Sequence, residues 1–173
     1  PREGATTATI SLARNLVRNL SARVLVVDAD FRHPSLHRAL KVSASPGLSD
    51  LLADPARPLD GLVQAGPEGF EVLAVGDDEA QLAKRLAGPA FAKAVAALKE
   101  RYDYVLFDMS PVNRFPAINT ALAALDGVVL VVACESTRWE VAQNAKEKLE
   151  HAGAKVLGVV LNKRKFYIPN WLY

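Results

Sequence analysis

The sequence predicts an α/β domain built on a doubly wound, mainly parallel sheet with helices on both faces. Three observations predict it. Short apolar runs alternate with helical segments of about 10–15 residues, the rhythm of strand–helix–strand units. The runs are apolar throughout, which is the pattern of strands buried on both faces. Polar residues follow the runs, at the end where ligands sit in such sheets.

Each element has its own signal. Helical spacing runs from about Ala5 to Leu20, with Leu12, Ala13, Leu16, Val17 and Leu20 on one face. "RVLVV" (23–27) is a β-branched strand ending in acids. "HPSLHRAL" and "GLSDLLAD" are short helices; Pro34 and Pro46 suit their starts, and Ser45 is a candidate cap for the second. "FEVLAV" (70–75) is a strand, and "PAFAKAVAALKERY" (89–102) is an amphipathic helix. "DYVLFD" (103–108) is a strand, "AINTALAAL" a helix and "GVVLVVA" a strand. "TRWEVAQNAKEKLEHAG" is a helix; Thr137 and Glu140 have capping-box spacing, and Gly153 stands at the C-cap. "KVLGVVLN" is the last strand.

Length and composition bound the answer. The 173 residues fit one domain spanning 1–173. Half are hydrophobic and 23% are charged, so the chain is globular and not disordered. The net charge of +2 is dispersed, which points to no nucleic-acid partner. The single cysteine, Cys134, excludes an internal disulfide and reads as a small buried hydrophobe. His33, His37 and His151 do not fall in a metal-binding spacing. No stretch reaches the ~18 apolar residues of a membrane span; Asp126 and Gly127 split the nearest one, Ala121 to Ala133. No signal peptide is visible. "PREGATTATISLARNLV" reads like the second half of a phosphate-binding loop running into a helix. The strand and first half of the loop are therefore expected upstream of Pro1.

The residues after each strand carry the chemistry. Asp28, Asp30 and Arg32 follow the first run, Asp108 and Pro111 the run at 103–106, and Asn162 and Lys163 the last. Gly4, Thr6 and Thr7 open the first helix. A helix start offers free N–H groups and a positive dipole end to phosphate. A threonine hydroxyl there, with carboxylates from neighbouring strand ends, suits Mg²⁺, which prefers few carboxylates plus phosphates and water. Thr6, Asp28 and Asp108 are the candidate ligands. Taken singly, Asp28 and Asp30 read equally well as helix caps, Asp108 as a cap or turn residue, and Asn162 as a turn residue. It is their joint placement at one rim that points to a nucleotide site.

At this point a resemblance enters. "VLVVDADFRHPSLHRAL", "PGLSDLL", "YDYVLFDMSPV" and "GVVLNKRKFYIPNWLY" resemble the bacterial tyrosine kinases of capsule and exopolysaccharide assembly, over essentially the whole chain. Asp28, Asp30 and Arg32 look like the family's Walker A′ motif, and Asp108 like its Walker B aspartate. Asn162 matches the place where relatives of the fold contact adenine. The resemblance implies a P-loop NTPase fold, ATP or ADP with Mg²⁺ as cofactor, and tyrosine phosphorylation in a C-terminal cluster linked to ring assembly. It implies a membrane-anchored polysaccharide co-polymerase as partner, fused or separate, and so a cytoplasmic location at the inner face of the membrane. Partition and septum-site ATPases share the fold, but usually lack the arginine at Arg32 and the "GLSDLL" continuation.

The chain departs from that pattern at the loop. The family loop reads approximately P-G-E-G-K-[ST]-T; here it is "PREGATT", with Arg2 for a glycine and Ala5 for the lysine. A lysine–phosphate contact contributes on the order of 1.5–3 kcal/mol, roughly 10- to 150-fold in affinity. Gly4, Ala5, Thr6, Thr7 and Asn162 remain the cofactor-binding candidates, with Arg2 as a stand-in cation. Tyr167 and Tyr173 are the phosphoacceptor candidates, a thin cluster. The expectation is a degenerate, pseudokinase-like domain with weak or lost ATP binding and vestigial Asp28, Asp30 and Asp108. The alternatives are an active kinase with a remodelled loop and, further off, a partition-type ATPase.

Overall fold

The computed structural model describes residues 3–111 and 121–164. Arg2, Tyr167 and Tyr173 lie outside the described residues, as do the first four residues of the helix expected at "AINTALAAL". In chain order the elements are α1 (Ala5–Leu20), β1 (Val24–Ala29), α2 (Leu36–Leu40), α3 (Leu48–Ala53), β2 (Gln64–Ala65), β3 (Glu71–Leu73), α4 (Glu79–Leu86), α5 (Pro89–Arg101), β4 (Tyr104–Met109), β5 (Val128–Ala133), α6 (Trp139–His151) and β6 (Val156–Asn162). The order β2-β3-β1-β4 makes one sheet, and β5-β6 a second. β1 runs parallel to both β3 and β4, while two-residue β2 is antiparallel to β3. β5 and β6 are parallel.

β1 organises the core because every one of its residues is buried. Side chains alternate across a strand, so its two faces feed two helical layers. Leu25, Val27 and Ala29 pack with Leu48, Leu51 and Leu52 of α3, Leu82 and Leu86 of α4, and Phe91, Val95 and Leu98 of α5. Val24 and Val26 pack on the other face with Ala13 of α1 and with Leu36 and Leu40 of α2. Helices on both faces of a largely parallel sheet are the doubly wound architecture that the sequence predicts. A third cluster, Leu122, Leu149 and Ala154 with Phe31, Met109, Leu130 and Val156, packs the β5–β6 pair against the larger sheet.

Several local expectations are corrected. The buried face of α1 is Ile10, Ala13, Leu16 and Val17, whereas Leu12 and Leu20 are 43% and 59% exposed. Leu12 lies about 100° around the helix from Ala13, and Leu20 is the last helical residue before Ser21 turns left-handed at φ 51. α3 is capped by Gly47, not Ser45, and Asp50 accepts from the Gly47 N–H; the Ser45 hydroxyl is drawn to Asp77 instead. α6 is capped at Arg138, so Thr137 and Glu140 form no capping box there. Gly153 stands one residue past the cap Ala152, with φ 79, where its missing Cβ matters. Cys134 is only half-buried, because it stands one residue past the end of β5. The sequence also predicts every strand buried on both faces, yet Leu157 and Leu161 of β6 are 60% and 69% exposed. Among the described residues β6 pairs with β5 alone. No described helix is long and apolar enough to cross a membrane.

Leu25 lies in the strand on which both layers depend and is fully buried. Leu25→Ala should lower the unfolding free energy by about 2–5 kcal/mol in urea titrations. Leu20→Ala, at a 59% exposed position, should change it by less than about 0.5 kcal/mol.

Candidate functional site

The site forms where α1 starts. Gly4 occupies the N-cap with φ 87 and offers no side-chain cap, and the first turn carries no acid. The first N–H groups of a helix have no partner within it, so the start of α1 presents donors and a positive dipole end. Glycine is required at position 4 on two counts. Its φ lies in the left-handed region, and a Cβ there would fall 2.2 Å from Asn162 Nδ2. Asn162, the last residue of β6, donates from Nδ2 to the Glu3 carbonyl at 3.0 Å and accepts from the Lys163 N–H at 2.8 Å. Thr137 Oγ1 donates to Glu3 Oε1 at 3.1 Å, which is where the expected cap hydroxyl has gone.

The acids stand opposite. Asp28 and Asp108 end neighbouring strands and pair in register across β1 and β4. Both are buried, at 0% and 3% exposure. Thr6 Oγ1 donates to Asp108 Oδ2 at 2.6 Å and lies 3.1 Å from Ser35 Oγ. Asp28 Oδ2 accepts from the N–H groups of Ser35 and Leu36 at 3.1 and 3.0 Å. Its Oδ1 takes the Asp30 N–H at 3.3 Å. Asp28 therefore does what a helix cap does for α2, which the sequence leaves open as its alternative role. Asp30 Oδ1 accepts from the N–H groups of Arg32 and His33 and from the Ser110 hydroxyl.

The structure thus brings Gly4, Thr6, Asp28, Asp30, Asp108 and Asn162 to one rim. Ala5 and Thr6 are half-buried, and Thr7 is exposed. The sequence reading missed Glu3, Ser35, Ser110 and Thr137. Ser110 had a signal, since it stands two residues past Asp108 and so on the same side of an extended chain. Ser35 had one too, directly before the first residue of α2, at its N-cap.

Burial dominates the electrostatics. Desolvation pushes the Asp108 carboxyl up to about 7, the Thr6 hydrogen bond opposes this, and the charges of Asp28 and Asp30 add to it. Desolvation also raises Asp28, against three backbone N–H bonds that pull it down. The donor set is entirely oxygen, from a hydroxyl and buried carboxylates that repel one another. Such a set suits a hard dication, and a dication would relieve the repulsion that raises Asp108.

In metal-free buffer the sign of the pH effect follows. The folded Asp108 binds its proton more tightly than the unfolded chain does, so the stabilisation is complete below about pH 4. It is lost as pH rises through about 7. Asp108→Asn should flatten the fall in melting temperature between pH 4 and 7 and stabilise the protein at pH 8. An unchanged slope would show that Asp108 ionises freely.

No family model matches the chain. The tyrosine-protein kinase YwqD of Bacillus subtilis is 30% identical over 166 residues, covering 95% of this chain and 69% of YwqD. CapB of Staphylococcus aureus, also bearing a tyrosine-protein kinase name, is 29% identical over 141 residues. The match takes in 82% of this chain but only 62% of CapB. Among solved structures, the VpsO kinase domain superposes with a TM-score of 0.87 at 28% identity, covering 95% of this chain and 81% of that one. The parallel sheet flanked by helices agrees with these likenesses, and the fold is that of the P-loop NTPases. The chain belongs to the bacterial tyrosine-kinase family of capsule and exopolysaccharide biosynthesis.

Proposed function

We propose that this domain is a pseudokinase-like member of its family, which binds Mg-ATP weakly and acts as a regulatory or structural partner in polysaccharide synthesis and export. The observation that carries the reading is Ala5. The first turn of α1, Ala5-Thr6-Thr7-Ala8, presents helix N–H groups and a hydroxyl but no positive charge. The family loop carries a lysine at that position. Phosphoryl transfer is driven largely by positioning and electrostatics, so its loss weakens chemistry more than binding.

The rest of the pocket fits a nucleotide. Gly4, Thr6 and Thr7 would receive the phosphates through the start of α1. Thr6, Asp28 and Asp108 would hold Mg²⁺, which would neutralise charge on the β- and γ-phosphates. Asn162 would remain at the loop, holding the Glu3 carbonyl. The partner on this reading is a membrane-anchored polysaccharide co-polymerase, fused or separate, which would place the domain at the inner face of the membrane. Assembly of several copies belongs to the same reading. The kinase names of CapB and YwqD and the VpsO kinase domain support the kinase-family scaffold on which this reading builds.

Calorimetric titration of Mg-ATP into the wild type and Ala5→Lys tests the proposal. Restoring the charge should tighten binding by roughly 10- to 150-fold, and the wild type should show neither ATP hydrolysis nor phosphotyrosine. Equal affinities would defeat the disarmed-site reading. So would strong Mg-dependent autophosphorylation in the wild type that Asp28→Asn abolishes.

A further inference from the structure

We propose that Lys163 supplies the positive charge that Ala5 no longer gives, so that the polyphosphate of a bound nucleotide is gripped from the end of β6 and not from the first turn of α1. This rests on the nucleotide reading above. A methyl group placed on Gly4 would lie 4.0 Å from Lys163 Cε. The lysine stem therefore runs alongside the cap residue of the helix start. Three features put it there.

Lys163 has a left-handed backbone, φ 56, a conformation uncommon outside glycine, asparagine and aspartate. That turn redirects the chain as it leaves β6. Asn162 Oδ1 accepts the Lys163 N–H at 2.8 Å and fixes the turn from inside. Asn162 Nδ2 donates to the Glu3 carbonyl at 3.0 Å, so the turn and the loop form one bonded piece. That last bond needs glycine at position 4, because a Cβ there would lie 2.2 Å from Asn162 Nδ2. A lysine ammonium is a compact charge on a flexible stem with three donors, and an exposed Lys163 keeps that reach. The start of α1 would then supply the N–H groups and the end of β6 the charge, two functions that the family loop combines in adjacent residues.

Four proteins form the test: wild type, Lys163→Met, Ala5→Lys and the double variant, each titrated with Mg-ATP by calorimetry. Methionine keeps the stem and removes the charge, and the four unfolding transitions should coincide. Lys163→Met should weaken binding by about tenfold or more in the wild type. In the Ala5→Lys background, where the charge is redundant, the same change should cost less than about threefold. Lys163→Arg should retain the wild-type affinity within about threefold. An unchanged affinity in Lys163→Met overturns the proposal, as do equal losses in the two backgrounds or the absence of wild-type binding at millimolar Mg-ATP. The two readings separate cleanly. If Ala5→Lys tightens binding while Lys163→Met is silent, Lys163 is excluded and the disarmed site stands. If Ala5→Lys changes nothing, the disarmed site falls, and Lys163 is judged by its own loss alone.

Discussion

The first turn of α1 is tied to both sheets, and the geometry of the site depends on that tie. Thr6 reaches Asp108 on the larger sheet at 2.6 Å. The Glu3 carbonyl is held by Asn162 of the smaller sheet at 3.0 Å. Among the described residues no strand pairing joins β4 to β5. Side-chain bonds to the helix start and the cluster around Leu122 and Leu149 therefore carry the connection. Gly4 stands at its centre, because any Cβ would push Asn162 away. The residue that fixes the helix start thus also fixes how closely the end of β6 approaches it.

The acid rim is costly to hold, and its neighbours show how it is held. Asp28 and Asp108 end adjacent strands inside a desolvated rim, where repulsion between them is weakly screened. Asp28 is offset by three backbone N–H groups, two of which, from Ser35 and Leu36, belong to the start of α2. Asp108 takes the Thr6 hydroxyl. That asymmetry explains why Asp108 is the carboxyl carried to about 7. A rim designed for stability alone would place an apolar residue at 108, as the rest of β4 does at Val105, Leu106 and Phe107. An acid kept there is understood through what it would hold, not through what it contributes to the fold.

Much of this was legible in the sequence, for a physical reason. β1 stood out because a strand buried on both faces must be apolar at every position. The strand-end acids stood out because each interrupts an apolar run. α4 was missed because it is short and mostly polar, anchored by Leu82 and Leu86 alone among its buried core residues. Two anchors four residues apart do not make a periodic signal. The partners of the site were hidden for another reason. Thr137 and Glu3 lie 134 positions apart, and only the closure of the fold brings them together. The same contact explains the failed capping box, since a local motif predicts a local bond and a tertiary acceptor won the hydroxyl.

The substitution at position 5 acts on more than the phosphates. In a loop with lysine, one cation would stand near both a triphosphate and the three rim acids. With alanine, the first turn of α1 offers the rim acids the Thr6 hydroxyl but no charge, and burial raises Asp108 and Asp28 in the absence of a bound cation. On the proposed reading, alanine in place of the lysine would change the balance between the two ligands of the site. It would weaken the hold of the first turn on the anion while leaving the demand for a dication intact. On that reading the first turn of α1 would leave more of the hold on the nucleotide to Mg²⁺ and to charge brought from elsewhere in the rim, and occupancy would be tied to Mg²⁺ more tightly than in a relative that retains the lysine. A pseudokinase-like domain of the proposed kind would be suited to sensing a nucleotide–metal complex, because the part of the chemistry it would lack is the part that needs the charge at the moment of transfer.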